Sequence, residues 1–216
     1  MKENRPTVTL HYMPHTRATG TRVLLEELGA PYELHVMNMK KGENRQPAYL
    51  AINPLGKVPA ISVNGTLVTE QAAITLYLAD LFPEAGLTPA LTAPERGTYV
   101  RFLVFYNACF EPALIDRSLK REPATKNETP YADYHSMLDV LRAQLSKAPF
   151  LTGETMTAAD ILWGVAFAWT LQFGLVPDEP VFRDYASRIT SRPAFQRVSA
   201  EDDAMAARHA AEAAKG

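Results

Sequence analysis

Apolar and polar positions recur along this chain in two rhythms, and the rhythm changes partway. Over Thr7 to Tyr12, TVTLHY, every second residue is apolar, the period of a half-buried strand. Pro14 ends that strand, and a polar loop, HTRATG, follows. Thr21 to Leu28 places Val23, Leu24 and Leu28 on one helical face, with Gly29 as its stop before Pro31. Tyr32 to Met37, YELHVM, alternates again. Strand, helix and strand with such short links predict a right-handed parallel unit. Pro47 to Ala51 reads as a short helix. Pro59 lacks an N–H, so it stands at the first residue of a strand or on an edge. Asn64-Gly65, between ISV and TLV, predicts a tight hairpin, because both residues tolerate positive φ. Thr69 can cap the next helix, where Ile74, Tyr77, Leu78 and Leu81 recur at i, i+3, i+4 and i+7.

The order is therefore βαβ, a short helix, then ββα, which is the thioredoxin-like order. Pro83 to Pro94, with Gly86 and Pro89 inside it, reads as a connection, so residues 1–83 form one domain and 84–93 a linker. Beyond it the strand signals stop, and 94–216 read as a second, all-α domain. Its first helix carries a wide aromatic face of Tyr99, Phe102, Leu103, Tyr106 and Phe110, and Pro112 should kink or interrupt it. Tyr134 to Leu145 has Leu138, Leu141 and Leu145 on one side. Met156 to Phe173 is the strongest helix of this half. Thr157 and Asp160 make an S/T-x-x-D/E cap, Met156 and Ile161 stand at the staple positions, and almost no polar face remains. It should be the buried centre of its domain. Phe182 to Ile189 is a further helix, ended by Arg192-Pro193, and the tail from Ala204 is a helix former that frays.

Composition narrows the classes. The chain has 216 residues, 47% of them hydrophobic, and a net charge of −2 with both signs interspersed. Nothing in this suggests a nucleic-acid footprint or a polybasic membrane anchor. The one cysteine, Cys109, rules out an internal disulfide or a multi-cysteine metal site within one chain. No apolar run reaches membrane-span length and the N-terminus is no secretory signal, so a cytoplasmic location is expected. G-x-S-x-G, P-loop and G-x-G-x-x-G motifs are missing. His11 and His15 straddle a strand end and a proline, which does not suit a zinc pair.

Two features of NPLGKVPAISVNGTLVTEQ, residues 53–71, carry binding chemistry. Most X–Pro bonds are trans, and a trans Pro59 would simply open an edge strand. A cis Val58-Pro59 bond would turn the backbone groups of Val58 outward, to pair with an extended peptide-like ligand. The helix start at Glu70-Gln71 offers unpaired N–H groups to a carboxylate, and Glu70 suits an ammonium. Alternatively Glu70 only complements the helix dipole.

The run G-K-V-P-A, hairpin, T-E-Q and amphipathic helix resembles the glutathione-binding half of cytosolic glutathione transferases. The cap and staple at Met156, Thr157, Asp160 and Ile161 match the corresponding helix of that family, so the resemblance covers nearly the whole chain. It implies a cis Pro59, with Val58 pairing by its backbone with the cysteinyl part of glutathione. It also implies that Glu70 and Gln71 hold the γ-glutamyl head. The family usually has Ser after the acidic residue; Gln71 departs from this, although a carboxamide also donates and accepts. Lys57 is a candidate for the glycyl or cysteinyl end, Lys41 for the glycine carboxylate, and Arg17 for a further contact. A homodimer, a role in detoxification and glutathione as co-substrate, without a metal, follow from the same resemblance.

Glutathione chemistry requires an ionised thiol. A free thiol near pKa 8.5 is only about 3% thiolate at pH 7, and lowering it two units needs about 2.7 kcal/mol. A hydrogen bond to the anion supplies roughly 1.5–3 kcal/mol, so one hydroxyl suffices. Two compete in the loop after the first strand. Thr16 matches the serine/threonine-type position, two residues beyond a proline, and Thr16-Arg17-Ala18 resembles bacterial members. Tyr12 matches the tyrosine-type position; a strand-end tyrosine is also commonly core. Thr16 is favoured; Thr19, Arg17 or a backbone N–H are the remaining donors. Phe102, Phe105 and Tyr106 are candidates for the pocket of a small hydrophobic electrophile, and core packing explains them equally well. The expected activity is a glutathione transferase. The alternatives are a glutathione-dependent peroxidase or disulfide reductase, or a non-catalytic binding or regulatory relative. No cysteine stands in the loop for disulfide chemistry, and Cys109 reads as a buried apolar residue.

Overall fold

A computed structural model of the chain describes residues 6–121 and 125–214. The parts of the two expected domains at residues 1–5, 122–124 and 215–216 lie outside it. The first half is a four-stranded sheet in the order β2-β1-β3-β4. β1 (Val8–Tyr12) pairs parallel with β2 (Tyr32–Val36) and antiparallel with β3 (Ala60–Val63), which pairs antiparallel with β4 (Thr66–Thr69). Val8, Leu10 and Tyr12, the alternating residues of β1, are wholly buried. Asn64 and Gly65 join β3 to β4 at φ 50° and 80°, the two positive angles a primed two-residue turn demands.

α1 (Ala18–Leu28) follows β1 and begins three residues ahead of the expected Thr21. It ends on Gly29 in the left-handed region, as anticipated. α2 (Pro47–Leu50) is short. α3 (Gln71–Leu81) buries Ile74 and Leu78. Its cap is not Thr69, which β4 keeps, but Glu70.

From Glu95 onward the named elements of the described residues are helices, joined by loops. α4 (Glu95–Phe105) runs into a π turn (Tyr106–Phe110) and then α5 (Glu111–Ser118). Pro112 explains the change: it has no N–H to give to a carbonyl four residues back, and the wider turn before it absorbs the missing bond. α6 (Tyr134–Leu145) and α7 (Ala158–Gln172) come next. α7 is buried along nearly its whole length, as its lack of a polar face predicts. The Asp160 carboxylate at its start accepts the Thr157 N–H and hydroxyl, each at 2.8 Å, the Leu151 N–H at 2.8 Å and the Tyr185 hydroxyl at 2.7 Å. Trp163, at its centre, donates its indole N–H to the Phe102 carbonyl at 3.0 Å. α8 (Pro180–Thr190) lies so close that a Cβ on Gly164 would stand 2.3 Å from Ile189.

α9 (Pro193–Ala213) differs from the reading of the tail. Arg192-Pro193 does separate two helices, but Pro193 opens the second at its first position, where a missing N–H is harmless. The helix then runs for 21 residues rather than starting at Ala204. It returns to the first domain and lies along α1. Arg192 forks onto Glu27 at 2.7 and 2.6 Å, Arg197 bonds Glu26, and Arg22 bonds Glu201. Among the described residues no helix is long and apolar enough to cross a membrane, and no cluster of His, Cys, Asp and Glu is arranged to hold a metal.

Candidate active site

The site gathers where β1 gives way to α1. Pro14 stops the strand, and His15 turns the chain at φ 55°, a conformation that side chains other than glycine rarely adopt. Thr16 then closes the turn: its hydroxyl donates to the Met13 carbonyl at 2.7 Å and accepts the Ala18 N–H at 3.2 Å. Thr16 is half-buried and faces a cavity of about 730 Å³. Its proton is held by a neutral carbonyl, a bond worth about 0.5–1.5 kcal/mol, whereas a bond to an anion is worth about 1.5–3 kcal/mol. An anionic sulfur within reach would therefore win the proton by roughly 1 kcal/mol.

The other candidate hydroxyl points elsewhere. Tyr12 is wholly buried and donates to a carboxylate oxygen of Asp202. Burial, then the Asp202 charge, raises its phenol well above the ordinary tyrosine value. Its alternation with Val8 and Leu10 already directs it inward, and α9 supplies the acceptor that makes burial tolerable.

Asp202 is the functional candidate that the sequence did not disclose. It is 0% exposed, accepts the Tyr12 and Thr19 hydroxyls and the His15 N–H, and lies 3.7 Å from Arg22. Its flanking residues, Glu201 and Asp203, suggest a solvated acidic face. One signal was present: Ala194, Val198, Asp202 and Met205 are the buried residues of α9, spaced as one helical stripe.

The second cluster comes from the hairpin and α3. The Val58-Pro59 bond is cis. His11 pairs with Ala60, which sets Val58, two residues earlier, near the turn that holds Met13 and Thr16. Glu70 is exposed and caps α3 at φ 67°, ψ 120°. Such a backbone costs of order 1–3 kcal/mol and concentrates at binding sites. Gln71, expected beside it in the same role, is instead tied into the interior. Its amide donates to the Arg17 carbonyl at 3.0 Å and accepts from the Tyr106 hydroxyl at 3.3 Å. The next N–H of α3, that of Ala72, is met by the Asn107 side chain at 3.2 Å. Lys57 and Lys41 are both exposed. The Lys57 carbonyl accepts from Tyr49 at 2.6 Å and Asn53 at 2.9 Å, and the Lys41 ammonium lies 3.8 Å from Glu212 of α9. Arg17 forks onto Glu111 at 2.7 and 2.6 Å and covers the Trp169 ring at 5.1 Å.

Of the expected second-substrate residues, Phe102 and Tyr106 belong to the core and Phe105 packs partly buried against it. Phe102 and Tyr106 are 0% and 1% exposed, and with Phe105 they pack around Trp163 at ring distances of 5.3–6.4 Å. Burial, then the Glu111 charge, pushes the Tyr106 phenol well above its usual value. An aromatic face reads the same whether it lines a core or a pocket, and here α7 covers it. The cavity is walled instead by Val165 and Trp169 of α7, Phe173 just after it and Phe195 of α9, with His15 and Asp203 as a pair 3.1 Å apart. Cys109 is half-buried and bonds the Pro130 carbonyl; burial raises its thiol, which disfavours the nucleophilic form.

Residues 6–80 match the family described as "Glutathione S-transferase, N-terminal domain". Glutathione S-transferase F13 of Arabidopsis thaliana is 30% identical over 207 residues, 87% of this chain and 93% of the relative. The disulfide-bond oxidoreductase YfcG of Escherichia coli is 28% identical over 201 residues, 87% of this chain and 92% of its own. Among solved structures, a sphingomonad glutathione S-transferase complexed with glutathione superposes with a TM-score of 0.73 at 28% identity, covering 90% of this chain and 98% of its own.

Proposed function

The chain belongs to the glutathione S-transferase family and is a glutathione-dependent transferase, and from that premise we propose that Thr16 activates the thiol. Glutathione lies along Val58 and the α3 start, with its γ-glutamyl head at Glu70 and its glycine end toward Lys57 and Lys41. Its thiol proton passes to solvent, and the Thr16 hydroxyl leaves the Met13 carbonyl to donate to the sulfur. The thiolate attacks an electrophilic carbon held against Trp169, Phe173 and Phe195. A carbon–sulfur bond forms, and where a leaving group is present it departs with its electron pair. The observation that carries this reading is the half-buried Thr16 hydroxyl on the cavity wall, with Tyr12 committed to Asp202.

On this reading the protein is a serine/threonine-type member, and it acts as a cytoplasmic homodimer that removes reactive electrophiles. Its glutathione-binding unit spans 1–83, the linker 84–93 and the helical unit 94–216. The experiment is a titration of bound glutathione by thiolate absorbance from pH 5 to 10. A pKa well below 8.5, the free-thiol value, is expected. An unshifted pKa would sink thiol activation. The resemblance to YfcG favours one second reading, reduction of mixed disulfides. Turnover of a mixed disulfide with none of an aryl halide would select it.

A further inference from the structure

We propose that Asp202, carried by the C-terminal helix, is a positioning residue for thiol activation: it fixes the loop that aims Thr16 at the cavity. This rests on the reading of Thr16 given above. The three donors that converge on this carboxylate bracket Thr16 in the chain. Tyr12 is the last residue of β1, His15 is the apex of the turn and Thr19 lies in the first turn of α1. Their bonds run from the Tyr12 hydroxyl to one carboxylate oxygen, and from the His15 N–H at 3.3 Å and the Thr19 hydroxyl at 2.7 Å to the other. One rigid group thus sets the strand end, the turn and the helix start relative to each other, and so fixes how Thr16 meets the cavity that His15, Arg17 and Thr19 line beside it.

Two further observations agree. His15 holds φ 55°, which an L-residue keeps only when its surroundings impose it. α9 grips it twice, at its N–H through Asp202 and at its ring through Asp203, 3.1 Å away. The carboxylate is also wholly buried, with Arg22 5% exposed and 3.7 Å from it. A buried anion so close to a site that must stabilise another anion is otherwise a liability, because like charges disfavour ionisation. Three donors and the Arg22 guanidinium surround it and blunt its field.

That conflict of signs provides the test. If Asp202 acted through its charge, removing it would ease thiolate formation and lower the bound thiol pKa. If it positions the loop, removal raises that pKa. The full-length chain and its Asp202→Asn variant would be assayed with glutathione and an aryl halide from pH 5.5 to 9, with bound-thiolate absorbance and thermal melting alongside. We expect the acid limb of kcat to move up by about one pH unit and turnover at low pH to fall about tenfold, with KM for glutathione changed less than about threefold. An unmoved or lowered limb would overturn the proposal. Arg197→Ala loosens the same α1–α9 contact away from the loop, and its pH profile should stay put. An equal shift there would reduce Asp202 to one strut among several and overturn its special role. Should Asp202→Asn fail to fold, Thr19→Val removes one of the three bonds and should raise the limb by a smaller amount; no rise would count against the proposal. Absence of glutathione-dependent turnover in the unmodified chain would overturn the reading of Thr16 itself, and this inference with it.

Discussion

α1 is held from two sides by helices of opposite character. α7 meets it with an almost wholly apolar surface, Val165 lying against Gly20. α9 and the Arg192 just before it meet it with charge, through Arg192, Arg197, Glu201 and Asp202. An apolar contact is non-directional and tolerates small slides, so it supplies most of the adhesion. A contact made of charged hydrogen bonds is worth little at the surface but is satisfied in one register only. The pair divides its work accordingly: α7 keeps the domains together, and α9 sets where one loop points.

The largest expected effect breaks the α7 side. Asp160→Ala strands the N–H groups of Leu151 and Thr157 and the Thr157 and Tyr185 hydroxyls, all now met by one buried carboxylate. We expect a loss of about 3–5 kcal/mol, at 1–3 kcal/mol for each buried polar group left unmet and partial relaxation. Urea denaturation measures it, and a loss under 1 kcal/mol would deny α7 its anchoring part. Next comes the Tyr12 and Thr16 pair. Tyr12→Phe should lower stability by about 1–3 kcal/mol. By removing one of the three bonds to Asp202 it should also raise the bound-thiol pKa, by less than Asp202→Asn does, without abolishing thiolate formation. Thr16→Ala should lower turnover 10- to 100-fold, about 1.4–2.7 kcal/mol, with the melting temperature nearly unchanged. Exchanged outcomes would mean that the wrong hydroxyl had been assigned. A smaller effect belongs to Arg192→Ala on the α9 side. The fork onto Glu27 is partly exposed, so about 1 kcal/mol or less is expected, and a double-mutant cycle with Glu27→Ala isolates it.

The smallest effect is one of pH, and the two sides answer it oppositely. Burial pushes the Glu26 carboxyl up, but hydrogen bonds from Tyr32 and Arg197 outweigh it and leave it below its ordinary value. Its stabilisation is present above that value and is lost as pH falls through the lower folded one. Burial raises the Asp160 carboxyl, so its contribution opposes folding above the raised value and that penalty fades as pH falls. Acid should therefore loosen α9 before α7. Hydrogen exchange near pH 4, within the ordinary carboxylate range, should show faster exchange in 193–213 than in 158–172. The reverse order would contradict the division of work.

The same contrast decides what the sequence disclosed. The stripes of α3 and α7, the Asn64-Gly65 turn and the alternation of β1 are local patterns, and they specified the sheet and the central helix. Asp202 meets Tyr12 across 190 residues, and no local pattern encodes a polar bond of that span. Phe102 and Tyr106 were ambiguous for another reason. Aromatic spacing shows that a face is covered, not whether protein or substrate covers it. Gln71 and Glu70 are neighbours with the same local prospects, yet only Glu70 faces outward. Tyr106 and Arg17, far along the chain, settled that.

The span of the Asp202 contact also has a temporal meaning. Synthesis proceeds from the N-terminus, and domains fold largely as they emerge. The sheet, the hairpin and the start of α3 can be in place while the last helix is still unmade. The loop bearing Thr16 would wait, folded around but not aimed, until residue 202 had left the ribosome and docked. A chain that stalled before α9 would then be a glutathione binder without a trigger, and Thr16 would be aimed only once α9 had docked.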